Sequence, residues 1–76
     1  MSRPTAADRA ADFGAAISRA QRELGAKHNL PGWQWAQIAP TVQDVRRHLG
    51  FTSKSSLYEH PWRELVEQAR REGRLR

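Results

Sequence analysis

The chain contains no cysteine. Its 76 residues must therefore hold together without disulfides, although a domain this short buries only about 60% of the surface its unfolded chain exposes. The same absence removes thiolate nucleophiles and thiolate metal ligands, and it suits a reducing compartment. Long apolar runs are also missing: none approaches the roughly 18 residues that a membrane span requires. The opening MSRPTAADRAADFG lacks the apolar stretch of a secretory signal. These absences lead to the expectation of a cytoplasmic protein that makes no membrane contact. No stretch alternates apolar and polar residues as a half-buried strand does. His28, His48 and His60 have no metal-ligand spacing, there is no glycine-rich phosphate loop, and no Ser-His-Asp arrangement is evident. The expectation is therefore that the chain is not an enzyme and takes no metal or cofactor.

Charge is what the chain does have. The formal net charge is +5 and the sequence pI is about 11.1. Residues 1–45 carry five basic and four acidic side chains, net +1, whereas residues 46–76 carry eight and four, net +4. Such a lopsided basic surface is the electrostatic footprint of a nucleic-acid binder. Eleven of the thirteen basic residues are arginine, which suits bidentate contacts to phosphate and guanine. A GC-rich coding sequence would produce the same bias, so the arginines alone do not choose.

Prolines and glycines divide the chain. A first helix is expected over residues 5–26, started by the Thr5/Asp8 pair as a capping box. Ala10, Phe13, Ile17, Ala20 and Leu24 recur at steps of three and four and mark its buried stripe, and Gly25 is placed to end it. Residues 27–40, KHNLPGWQWAQIAP, form a connector of one turn or a short extended piece. Trp33, Trp35 and Trp62 either plug the small core or form an aromatic patch for a partner. A second helix runs over 41–49, with Thr41 and Asp44 repeating the T-x-x-D start and Val42, Val45 and Leu49 on one face. Gly50 ends it and Phe51 supplies the accompanying apolar contact. A short third helix follows over 53–59, capped by Thr52 or Ser53 and buried through Leu57, until Pro61 stops it. The last helix runs from Pro61 to residue 72, with Trp62, Leu65, Val66 and Ala69 as its stripe and Gly73 as its stop. Leu75 packs back, leaving Arg74 and Arg76 loose. The fold class is thus a small all-α bundle of four helices in one domain, 1–76.

Residues 41–60 have the order helix, glycine turn, short helix, which is a helix-turn-helix. Val45 and Leu49 must meet Leu57, and the second helix then presents its first turn outward. The small hydroxyl residues Thr52, Ser53, Ser55 and Ser56 let a backbone come close to a duplex and donate to phosphates or base edges. The free N–H groups of that helix start favour an anion, and Lys54 adds charge there. Arg46 and Arg47 fit either phosphate contact or plain solvated surface.

PTVQDVRRHLGFTSKSSLYEH, residues 40–60, resembles the DNA-binding domain of the LexA repressor family, in which a PT-x-x-[ED]-[IV] helix leads to LGF or LGL, a hydroxyl-rich turn and a recognition helix ending near His. TVQDV, SKSSLYEH and the following REL also resemble the TetR repressor family, with one extra residue in the turn. The resemblance covers about a quarter of the chain. It implies base or backbone contacts from Ser53, Ser55, Ser56, Tyr58 and Glu59, and a phosphate contact near the Thr41 cap. Lys54 stands where the LexA pattern often has Pro and the TetR pattern has Lys. The Trp33–Ile38 insertion departs from the LexA arrangement, as does Pro61, which stops the recognition helix after His60. A LexA-like wing has no place in these 76 residues, nor has a sensor or dimerisation domain, so the chain is not expected to be a complete repressor of either kind.

The expected function is sequence-specific double-stranded DNA binding through residues 53–59, as a repressor-like transcriptional regulator. A lone module of this size reads few base pairs, so a homodimer or a partner protein is expected. Glu59 has an alternative role, as the i, i+4 partner of Arg63, and Tyr58 an alternative as a packed residue. Two other functions remain open on the sequence. One is a protein-interaction module of phage or plasmid origin built on the three tryptophans. The other is a DNA-binding accessory of replication or partition.

Overall fold

A computed structural model describes residues 5–49, 57 and 62–76. Those residues are all-helical, in four helices: α1 (Ala6–Lys27), α2 (Gly32–Trp35), α3 (Val42–Leu49) and α4 (Trp62–Arg71). The expected third helix, 53–59, and the Gly50–Phe51 turn lie outside the described residues apart from Leu57.

α1 is the element on which α2, α3 and α4 all pack. Its start is the capping box read from the sequence: the Asp8 amide donates to Thr5 Oγ1 at 3.1 Å and the Thr5 amide donates to Asp8 Oδ2 at 3.1 Å. The Thr5 amide, then the Thr5 hydroxyl, and last the Arg9 charge hold the Asp8 carboxyl below its ordinary range against an opposing effect of burial. The buried stripe is Phe13, Ala16, Ile17 and Ala20. Ala10 is exposed and Leu24 half-buried, so the stripe is shorter than the periodicity suggests. Ala16 and Ala20, both with no exposed surface, keep the helix face low enough for α3 and α4 to approach.

The expected end of α1 is displaced. Gly25 does not terminate the helix but lies within it, buried. The stop is two bonds and one left-handed residue further on. The Asn29 amide donates to the Ala26 carbonyl at 3.2 Å, and the Leu30 amide reaches back to the Gly25 carbonyl at 2.9 Å. Asn29 itself stands at φ 55. Asparagine tolerates that conformation and glycine was not needed there. Gly25 serves packing instead, because a Cβ on it would fall within the indole ring of Trp35.

The connector is a single helical turn, α2, between coil segments. Trp33 and Trp35 lie on opposite sides of it, as a two-residue step in a helix requires. Trp35 turns toward Gly25 of α1, and its indole N–H donates to the Leu30 carbonyl just beyond that helix at 2.9 Å. The Gln21 amide on α1 donates to the carbonyls of Ala36, at 3.3 Å, and Ile38, at 2.9 Å. A short segment with little structure of its own is thereby fixed to the long helix.

α4 begins at Trp62 and ends as expected. Gly73 at φ +75 allows its amide to donate to Arg70 at 3.1 Å and the Arg74 amide to donate to Ala69 at 2.8 Å, the paired bonds of a left-handed helix stop. Leu75 then folds into the core, 4% exposed. Arg76 departs from the expectation of a loose end: its amide donates to the Pro40 carbonyl at 3.0 Å and its own carbonyl accepts from Arg70 Nε at 3.1 Å. The core therefore draws on α1, on Val42 and Val45 of α3, on Val66 and Ala69 of α4, and on Leu57 and Leu75. Trp62 covers it, half-buried, with its ring 6.4 Å from Phe13 and tilted by 49°.

Candidate nucleic-acid interface

The supporting helix of the expected helix-turn-helix is well defined. α3 starts at a capping box in which the Asp44 amide donates to Thr41 Oγ1 at 3.3 Å and the Thr41 amide donates to Asp44 Oδ2 at 3.0 Å. The Thr41 hydroxyl closes the pair by donating to the same carboxylate oxygen at 2.9 Å. Burial by itself would push the Asp44 carboxyl up, but the Thr41 amide and hydroxyl, the Arg47 guanidinium and the more distant Lys27 outweigh it and hold the group below the ordinary carboxylate range.

That direction carries a prediction. A carboxyl depressed in the folded state stabilises the fold above its unfolded pKa, and the contribution is lost as pH falls through the folded value. Asp44 is therefore expected to add stability fully present near neutrality and lost below about pH 4. Asp44→Asn is expected to cost about 1 kcal/mol at pH 7, typical of a lost cap, and to flatten the acid limb of the melting temperature below about pH 4. An unchanged acid limb in a scan of thermal unfolding against pH would refute the assignment.

The other oxygen of Asp44 meets Arg47. Arg47 Nη2 lies 2.7 Å from Asp44 Oδ1 and 2.8 Å from Glu23 Oε1 of α1. The second oxygen of Glu23 is 2.8 Å from His48 Nε2. Four side chains thus bridge α1 and α3 along one edge. The sequence offers no sign of the Glu23 partnership, since twenty-four positions separate it from Arg47. The Arg47 guanidinium is already held by two carboxylates, so its charge is largely offset within the fold. Arg46 differs: it is half-buried, and its side chain has no ion pair or hydrogen bond to a described residue.

Of the ten residues expected to touch DNA, Thr41, Arg46 and Arg47 are described, and the structure brings all three to α3. Thr52, Ser53, Lys54, Ser55, Ser56, Tyr58 and Glu59 lie outside the described residues. Leu57, in the middle of that group, is fully buried in the same core as Val42 and Val45. Arg63, the alternative partner of Glu59, pairs with Glu67 at 3.1 Å.

The aromatic patch expected of a three-tryptophan partner site is not formed as one surface. Trp35 and Trp62 are half-buried, and Trp33 alone among the large apolar side chains described is exposed, at 68%. Neither is the plugged-core expectation met by Trp33. Among the described residues no group of three or more His, Cys, Asp or Glu could hold a metal, and no helix is long and apolar enough to cross a membrane.

No protein-family model matches the chain, and no curated protein or solved structure does either.

Proposed function

We propose that the chain binds double-stranded DNA through a helix-turn-helix whose supporting helix is α3 and whose reading segment is residues 53–59. The observation that carries this reading is the complete burial of Leu57 against the core that holds Val42 and Val45. It is the contact that a helix-turn-helix needs between its two helices. Around that leucine the sequence places SKSS on one side and YEH on the other, small and polar residues of the kind that approach phosphates and base edges. The net charge of +5, concentrated after residue 45, favours the same partner. A repressor-like role in transcription is the form of the proposal that the LexA and TetR resemblance supports.

The two cations of α3, Arg46 and Arg47, differ in availability, and this makes the proposal testable. Each Lys or Arg that neutralises a phosphate contributes roughly 0.9 to the slope of log affinity against log salt on B-form DNA. Lys54→Ala and Arg46→Ala are each expected to lower affinity for every duplex and to flatten that slope by about one unit. Arg47→Ala is expected to change it less, because the guanidinium is already shared by Glu23 and Asp44. Fluorescence anisotropy across a salt series measures the slopes. If neither Lys54→Ala nor Arg46→Ala alters them, the face is misassigned. Ser55 and Tyr58 substitutions address the reading itself, since they are expected to change which sequences a random duplex pool yields.

A further inference from the structure

We propose that Glu23 acts as an internal stand-in for a DNA phosphate, holding Arg47 back from the duplex and so keeping affinity for DNA down. The inference rests on the DNA reading above and adds to it a residue of α1, outside the helix-turn-helix. It begins from the charges around one carboxylate. Glu23 meets Arg47 Nη2 at 2.8 Å through Oε1 and His48 Nε2 at 2.8 Å through Oε2. Arg19 and Lys27 stand four residues before and after it, on the same face of the helix. Neither forms an ion pair with a described residue. Lys27 is near enough to α3 to act on the Asp44 carboxyl. Asp44, the neighbouring acid, is engaged by the Thr41 cap and by Arg47. One carboxylate thus sits among four basic side chains drawn from two helices. Such a place attracts an anion, and here the chain supplies its own.

The clamp is of a kind that can let go. Glu23 and Asp44 both reach the same nitrogen of Arg47. The guanidinium is therefore gripped at one corner, and the side chain is still 56% exposed. Glu23 is 42% exposed. A pair this open to water is weak, and a phosphate competes for the guanidinium fork with a charge and paired oxygens of its own.

Position makes the competition matter. Arg47 and His48 lie in the last turn of α3, the part of that helix nearest in sequence to the reading segment 53–59. A phosphate that reaches Arg47 there must displace the Glu23 carboxylate, which otherwise repels it. Phosphate contacts carry no sequence information, so Glu23 lowers affinity for all duplexes alike. Discrimination then depends more heavily on the base contacts of the reading segment. Glu23 is in this sense a positioning residue that acts through Arg47.

Fluorescence anisotropy with a labelled duplex across a salt series tests this. Glu23→Ala leaves a good helix former at an exposed position. It is expected to steepen the slope of log affinity against log salt by roughly 0.9, the contribution of one released cation, which is about an eightfold gain in affinity at 0.1 M salt. Glu23→Gln, which keeps the shape of the side chain and loses its charge, is expected to shift both in the same direction. In the Glu23→Ala background, Arg47→Ala is expected to flatten the slope by about one full unit, more than it does in the wild type. Asp12→Asn removes the same formal charge from an exposed site on α1 eleven residues away. That is about 16 Å along the helix, beyond the screening length of about 10 Å at 0.1 M salt, and the slope is expected to stay as it is. Circular dichroism establishes that each variant is folded. A gain from Glu23→Ala that persists undiminished in the Arg47→Ala protein, or that Asp12→Asn reproduces, would be a general effect of charge and would overturn the proposal. Slopes unchanged by both Glu23 variants while Lys54→Ala still flattens its own would overturn it too, with the DNA reading intact. If the wild type and every variant fail to bind any duplex at low salt, the DNA reading falls and this inference falls with it.

Discussion

Leu57→Ala is expected to lower unfolding free energy by about 2–5 kcal/mol, the range for truncating a buried leucine. The side chain has no exposed surface and belongs to the same cluster as Ile17, Val45 and Val66. At roughly 0.05–0.15 kcal/mol per residue, the whole stability of a chain this size is about 4–11 kcal/mol. One truncation therefore removes a large share of it. The melting temperature is expected to fall by about 4–8 °C for each kcal/mol lost. Urea titration is the cleaner measurement, since the midpoint should drop with the slope unchanged. Leu65→Ala is the comparison: that leucine is only half-buried and should cost distinctly less. A Leu57 variant as stable as wild type would separate the residue from the core and take with it the main support for the helix-turn-helix.

Gly25→Ala is expected to destabilise by about 1–3 kcal/mol, the cost of overpacking, although the position lies inside α1. Helix propensity argues for the opposite sign, since alanine in a helix interior is favoured over glycine by about 1 kcal/mol. Steric overlap decides. The new methyl would occupy the space of the Trp35 ring at atoms close to its Cβ, so the side chain cannot yield by moving only its tip. To make room the indole must turn, and its hydrogen bond to the Leu30 carbonyl goes with it, a further loss of about 0.5–1.5 kcal/mol. A double-mutant cycle isolates the effect. With Trp35→Ala in place the overlap is gone, and the same Gly25→Ala change is expected to become neutral or stabilising. If glycine to alanine has the same sign in both backgrounds, the two residues do not interlock.

These residues also show where a sequence is readable and where it is not. The T-x-x-D boxes at Thr5 and Thr41 were legible because a cap is satisfied within four residues. So was the Gly73 stop, and so were the apolar stripes of α3 and α4, where spacing alone selects a face. Gly25 misled because glycine suits both a helix end and a close helix contact. The residue that distinguishes these roles, Trp35, is ten positions away and beyond a proline. Arg47 has the same history: nearby sequence supplies Asp44, but its second carboxylate comes from Glu23 on another helix. The tryptophans could not be sorted by composition, because burial at a two-residue spacing depends on whether the segment is helical. The all-α class needed only local periodicity, whereas the ion pairs and the connector needed the packed structure.

The closing of the chain's end has a kinetic consequence. α1 can form from contacts a few residues apart, on the sub-microsecond scale of helix growth. The bond from the Arg76 amide to Pro40 joins residues thirty-six positions apart. Bringing such a loop's ends together carries an entropic cost of roughly 3 kcal/mol in its length-dependent part alone. Leu75 and Arg76 should then be late to dock during folding and early to release, a small opening unit distinct from global unfolding. In hydrogen exchange, the amides of α1 around Ile17 would report the full stability of the molecule, while the amide of Arg76 would keep a faster clock.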